Sequence, residues 1–284
     1  MPWLSLRFVE TAVMQLSIDD ARFDVTDAGS GPAIVLLHGF PLAKEAWDAQ
    51  ADSLAKYARV VRFDLRGLGK SSVPMGPYLM ESLASDVVGV LDALGIERAT
   101  IVGHSLGGYV AFAFYRLFRE RCAGLGIVCS RANADDEAMA AAREALATRA
   151  EAEGIAPIAD AFVPRYFAPS IATTHPELLT RAHALIAPTD PRGAAAMLRG
   201  MAARVASDDL FDEIDIPVRV IAGVHDAFVS VDLMREISDG IGGAKLDVMD
   251  CGHFPLWEKS DETTASLAGL LHDVAAANER AARA

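Results

Sequence analysis

The sequence predicts an α/β fold: a mostly parallel central sheet with helices on both faces and a block of helices inserted into it. Three observations carry that expectation. Short continuous apolar runs, such as AIVLL at 33–37, have the composition of strands buried on both faces. Each run is followed by a stretch with helical spacing, and strands alternating with helices imply a parallel sheet. Residues 131–207 break the alternation, with Ala, Arg and Glu in place of strand-like runs.

The first elements, 15–18 and 22–26, read as a hairpin around Asp19-Asp20, closed off by a turn at Gly29-Ser30-Gly31-Pro32. Met14 marks the expected start of the compact domain, with 1–13 as an upstream arm. After the AIVLL strand, 43–56 has helical spacing, with Trp47, Ala51 and Leu54 on one side. A strand at 59–63 follows. The helix at 82–94 places Leu83, Val87, Val90, Leu91 and Leu94 in one stripe and stops at Gly95. A strand at 99–102, a helix at 105–118 and a strand at 124–129 continue the pattern. Strands at 218–222 and 245–249, each with a following helix, complete it.

Six prolines cut 131–207 into short pieces, which suits three or four helices. Asn133, with Asp135, Asp136 and Glu137 after it, has the look of a capped helix start. Pro191 after Asp190 suits a first helical position. The expected organisation is a core of 1–130 and 208–284, with 131–207 as a helical cap over the carboxyl edge of the sheet. The tail from 275 reads as a fraying helix end.

The chain has 284 residues, 52% hydrophobic and 23% charged, which suits one large domain with a sizeable core. A net charge of −13 argues against nucleic acid or an anionic membrane as partner. No run reaches the ~18 apolar residues that span a bilayer. The segment MPWLSLRFVETAV is broken by Arg7 and Glu10 and lacks the pattern of a signal peptide. A cytoplasmic protein is the expectation. Packing of the arm on a second copy would make a homo-oligomer. The three cysteines, Cys122, Cys129 and Cys251, show neither a disulfide nor a zinc spacing and read as buried small hydrophobes. No metal or organic cofactor is expected. Cys251 lies two residues from His253, so a Cys–His pair is a weaker alternative.

Chemistry in parallel sheets gathers beyond the carboxyl ends of strands. Gly103-His104-Ser105-Leu106-Gly107 stands there, between a strand and a helix. G-x-S-x-G occurs by chance in roughly one chain in ten of this length, so its context matters more than its letters. A sharp strand-to-helix turn forces its apex residue to positive φ and requires small neighbours, as Gly103, Gly107 and Gly108 are. Ser105 is then an exposed hydroxyl at a helix N-terminus, and it needs a base and an orienting acid. Of seven histidines, His253, in Asp250-Cys251-Gly252-His253-Phe254 after a strand, is the best placed as base. His38 and His104 are expected to support local turns. Asp226, just past the strand at 218–222, is the favoured acid, with Asp250 and Asp135 as rivals. The backbone N–H groups of Leu106 and Phe40 are the candidate oxyanion donors, the second in the loop His38-Gly39-Phe40-Pro41. Phe162, Tyr166, Phe167, Met197 and Met201 are candidates for an apolar pocket wall, or else packing within the inserted helices.

HGFP (38–41), FDLRGLGKS (63–71), GHSLGG (103–108), IAGVHDAFVS (221–230) and CGHFPLWEKSDE (251–262) resemble, in order and spacing, the signatures of the α/β-hydrolase fold family. The resemblance implies Ser105 as nucleophile, His253 as base, Asp226 as acid, Phe40 and Leu106 as oxyanion donors, and a helical cap. It also implies that Asp64, Arg66 and Gly67 serve structure. Haloalkane dehalogenases and epoxide hydrolases of this fold carry Asp where Ser105 stands. What remains resembles carboxylesterases, enol-lactonases, C–C bond hydrolases and cofactor-free perhydrolases. The leading expectation is a serine hydrolase acting on a small ester or lactone. The alternatives are perhydrolysis, C–C cleavage, or a small-ligand binding protein on the same fold.

Overall fold

The computed structural model describes residues 11–283. Eight strands form one sheet: β1 (Thr11–Ile18), β2 (Ala21–Gly29), β3 (Ala33–Leu37), β4 (Arg59–Phe63), β5 (Ala99–His104), β6 (Cys122–Val128), β7 (Val218–Gly223) and β8 (Lys245–Met249). Their order is β1-β2-β4-β3-β5-β6-β7-β8. The hairpin β1–β2 and the pair β2–β4 are antiparallel, and the rest of the sheet is parallel.

Burial follows position. The central strand β5 is buried at every residue, because helices cover both its faces, whereas the edge strand β1 is mostly exposed. The compact fold starts earlier than Met14: Thr11, Ala12 and Val13 already pair with Ala28, Asp27 and Thr26. An upstream arm can therefore comprise only 1–10, which lie outside the described residues.

The covering helices are α1 (Asp48–Leu54), α2 (Met80–Ala93) and α3 (Leu106–Phe118) in the first part, then, beyond β7, α9 (Val231–Gly240), α10 (Pro255–Glu258) and α11 (Ser260–Arg283). Trp47, Leu54, Leu83, Val87 and Leu91 turn inward at the expected spacing. Gly95, past the end of α2, has φ +64°, the left-handed conformation that closes a helix.

Between β6 and β7 the chain forms α4 (Glu137–Glu153), α5 (Ala156–Tyr166), α6 (Ile171–Thr174), α7 (Pro176–Ile186) and α8 (Pro191–Ala202), with no strand. There are five helices rather than three or four, because Pro164 is carried inside α5 and the single turn α6 fits before Pro176. The first of them is capped by Asp136, whose side chain accepts from Met139 N, and not by Asn133. Asp135 is instead drawn into ion pairs with Arg143 and Arg204. Asp190 does cap α8, with Pro191 in its first turn.

Sheet order places the site. The connections from β3 run outward to β4, while β5 lies on the other side of β3, so a crevice opens beyond the carboxyl ends of β3 and β5. Leu37 of β3 pairs in register with Gly103 of β5, so the loop at 38–41 and the turn at Ser105 emerge side by side.

Among the described residues no helix is long and apolar enough to cross a membrane.

Candidate active site

Ser105 has φ 52° and ψ −113°, the positive-φ conformation expected of the apex of a strand-to-helix turn. Such a conformation costs about 1–3 kcal/mol and persists only when the surroundings over-determine it. They do here. Ser105 N donates to Val128 O at 2.8 Å, while Ser105 O accepts from Gly108 N at 2.9 Å and from Ser130 Oγ at 2.7 Å. A Cβ on Gly103 would stand 2.0 Å from the carbonyl carbon and oxygen of Gly107, so only glycine permits the turn to close. Gly39 has the same reason to be glycine, since its Cβ would meet the His104 ring at 2.6 Å.

His253 follows β8 and Asp226 follows β7. Their side chains are 3% and 1% exposed, which leaves the pair almost no water to compete for its hydrogen bond. His253 Nδ1 lies 2.7 Å from Asp226 Oδ2. The other carboxylate oxygen accepts from the amides of Phe228 (2.7 Å) and Val229 (2.9 Å). Burial by itself would push the Asp226 carboxyl up. The adjacent His253 ring and these hydrogen bonds outweigh it and hold the group below the usual carboxylate range. With Nδ1 directed at Asp226, the ring's second nitrogen is free for proton transfer, and His253 and Ser105 line one cavity.

The rival acids are placed elsewhere. Asp250 is exposed and pairs with His225 at 2.9 Å, and Asp135 is occupied by two arginines. His104 is buried, and burial followed by the neighbouring His253 lowers its pKa to about 3. The neutral ring joins the Ser105 turn to the loop of His253: His104 Nε2 donates to His253 O at 2.8 Å. His38 is also buried and accepts from Leu65 N at 3.0 Å through Nε2. Asp64 receives the amides of Lys44 (2.7 Å) and Lys70 (2.8 Å), a structural use of FDLRGLGKS.

Cys129, at φ 47°, brings its Sγ within 4.8 Å of the Asp226 and His253 ligand atoms. Burial first, and the Asp226 charge second, raise the thiol well above its usual pKa. A protonated thiol beside a histidine already committed to a carboxylate is a poor metal-ligand set. Cys251 is buried, and its pKa is pushed up to about 12 by burial, so it does not act as a thiolate beside His253.

Leu106 opens α3, and Phe40 follows the close approach of Gly39 to the turn. Among the described residues neither amide N–H donates to a protein acceptor. The Phe40 carbonyl is held from the inserted helices: Tyr166 Oη donates to it at 2.6 Å. Tyr166 is fully buried and lies 6.1 Å from the His253 ring at 21° between planes. Glu258 gives a second tie, accepting from Gly252 N (2.8 Å) beside His253 and from Ala168 N (2.9 Å) after α5.

The cavity over Ser105 measures about 320 Å³. Phe162, Tyr166 and Met201 line it, as expected of the inserted segment, together with Phe40 from the loop after β3. Phe167 and Met197 do not. Phe167 packs against Phe254 and Trp257, and Met197 is wholly buried on α8. The walls also contain residues that the sequence did not single out. Tyr109 stands four residues after Ser105 on the same helical face. Met139, Ala142, Arg143 and Leu146 form one face of α4. Arg131 directly follows the strand-end Ser130, and Arg165 and Phe228 flank residues already considered. Helical spacing and the strand-end rule carried the signal for Tyr109 and Arg131.

A family model described as "alpha/beta hydrolase fold" matches residues 32–260. The 3-oxoadipate enol-lactonase 2 of Acinetobacter baylyi is 30% identical over 247 residues, covering 87% of this chain and 90% of that protein. Epoxide hydrolase B of Mycobacterium tuberculosis is 47% identical, but over only 98 residues, 34% of this chain and 28% of that protein. Among solved structures, a thermophilic esterase from Thermogutta terrifontis superposes with a TM-score of 0.88 at 33% identity, covering 93% of this chain and 99% of that one.

Proposed function

The chain belongs to the alpha/beta hydrolase fold family, and we propose that within this hydrolase family it cleaves carboxylic esters or lactones through an acyl-enzyme formed on Ser105. The observation that carries the reading is the convergence on one cavity of a strained, helix-opening Ser105 and a His253 already oriented by Asp226. Ser105 stands where epoxide hydrolases of this fold carry Asp, which favours acyl transfer over epoxide opening.

His253 takes the Ser105 proton as the hydroxyl oxygen attacks the carbonyl carbon. Asp226 holds the imidazole in the required tautomer and stabilises the imidazolium that forms. The Phe40 and Leu106 N–H groups, without protein acceptors among the described residues, receive the developing oxyanion. The imidazolium then gives its proton to the leaving oxygen. Water, deprotonated by His253, attacks the acyl-enzyme and releases the acid. The reaction uses side chains, backbone amides and water. Helices α4–α8 act as the cap, placing Phe162, Tyr166 and Met201 over the nucleophile, and a cavity of about 320 Å³ suits a small substrate.

Replacing Ser105 by Ala tests the reading. The kcat on a short-chain p-nitrophenyl ester should fall by orders of magnitude, and covalent labelling by a fluorophosphonate should disappear with it. Retention of most of the activity by Ser105→Ala would refute it.

A further inference from the structure

Arginine supplies all the permanent charge on the cavity wall. Arg131, Arg143 and Arg165 line it, and among the described residues no Asp or Glu does. This is unexpected in a chain of net charge −13. The three arginines differ in how their charge is answered. Arg165 is exposed, at the rim; it donates to Ala227 O at 3.0 Å and lies 4.2 Å over the Phe228 ring. Arg143 is backed by Asp135, whose side chain is fully buried, but Asp135 also pairs with Arg204 at 2.6 Å. One carboxylate thus answers two guanidinium groups. Arg131 has no carboxylate partner among the described residues. It donates to Phe228 O, contacts Met139 Sδ at 3.5 Å, and keeps a buried Nε with no hydrogen-bond partner.

Arg131 is also near the chemistry. It follows Ser130, whose hydroxyl holds the carbonyl of Ser105. Apart from Ser105 and His253 the rest of the wall is apolar or aromatic, and Arg131 is half-buried against it, so the unmet hydrogen-bonding capacity of its buried Nε is costly.

We propose that the cavity selects anionic substrates: esters or lactones whose acyl part ends in a free carboxylate. Arg131, with Arg143 beside it on the wall, receives that carboxylate while the scissile carbonyl lies at Ser105. The inference rests on the serine-hydrolase reading and adds the substrate class. A planar guanidinium matches a carboxylate, and a single negative charge matches Arg131: among the described residues neither it nor Arg165 has a carboxylate partner, but Arg165 is exposed to water at the rim whereas Arg131 is half-buried. An uncharged acyl chain of equal length would leave Arg131 desolvated and unpaired. Sites built around such a group discriminate strongly against a substrate that lacks the partner.

The test compares two esters of equal chain length, p-nitrophenyl hydrogen glutarate and p-nitrophenyl pentanoate. The wild-type kcat/KM should favour the anionic ester by about tenfold or more, the order of one charge-assisted hydrogen-bonded pair. Arg131→Gln should reduce that ratio by about tenfold, and Arg131→Lys should retain part of it, since the charge remains. A measurement without variants guards against misfolding: glutarate should inhibit wild-type hydrolysis of the pentanoate ester more strongly than pentanoate does. Turnover with the neutral ester preferred, or a ratio unaltered by Arg131→Gln, overturns the inference and leaves the serine-hydrolase reading standing. Absence of turnover of either ester, together with no labelling of Ser105 by a fluorophosphonate, overturns both.

Discussion

The hydroxyl of Tyr166 is a single group whose removal should disturb both stability and catalysis. It donates at 2.6 Å to the Phe40 carbonyl, and Tyr166 is fully buried, so no water can replace it. Tyr166→Phe keeps the ring against His253 and deletes only the tether. A neutral hydrogen bond contributes about 0.5–1.5 kcal/mol net, but a buried carbonyl left without a donor costs about 1–3 kcal/mol. The larger figure governs, because no other protein donor reaches Phe40 O among the described residues. For a chain of 284 residues the unfolding entropy near the midpoint is about 0.6 kcal/mol/K, so Tm should fall by about 2–5 °C. Losing an oxyanion donor outright costs about 10²–10³ in kcat, and in the proposed mechanism the Phe40 N–H survives on a loosened loop, so a loss of about 3–30-fold is expected. Thermal unfolding and p-nitrophenyl butyrate kinetics read the two effects. A Tm within about 1 °C and a kcat within about twofold of wild type would refute the proposal that the inserted helices hold the loop at Phe40 in place for catalysis.

Gly103→Ala places a methyl 2.0 Å from the Gly107 backbone. Since backbone cannot rotate away, the variant should lose about 3 kcal/mol or more, read by urea unfolding. Asp226→Asn should lower kcat by about 10²–10⁴-fold at neutral pH, measured on the same butyrate ester. It should also alter acid stability. The folded Asp226 carboxyl titrates below its unfolded value of about 3.9. Between those two values the unfolded chain holds a proton that the folded chain does not, so Asp226's stabilisation is present above the window and lost as pH falls through it. Urea unfolding at about pH 5 and pH 3 should show a smaller acid loss in Asp226→Asn than in wild type.

The apolar runs and their helical followers made the sheet legible, because buried parallel strands cannot hide their composition. The strand ends were blurred: β1 reaches back to Thr11 through backbone pairing with β2, which its exposed side chains do not announce. The helix start at Asn133 was misplaced by three residues: Asp136 caps α4, and Asp135 is drawn to Arg143 and to Arg204, the latter distant in sequence.

The sequence by itself determined the alternation of strands and helices, and it marked Ser105, Asp226 and His253 as strand-end residues in the order acyl transfer requires. Local rules suffice there, since a sharp turn at Ser105 demands glycines within five residues of one another. Tertiary structure alone decided which side chains surround that turn. Met197 and Met201 stand one turn apart on α8, yet only Met201 reaches the cavity. Among the described residues Arg131 is left without a counter-ion while Arg143 shares one. Those outcomes depend on how helices pack and on which charges meet across the fold, and neither is encoded in the spacing of any single segment.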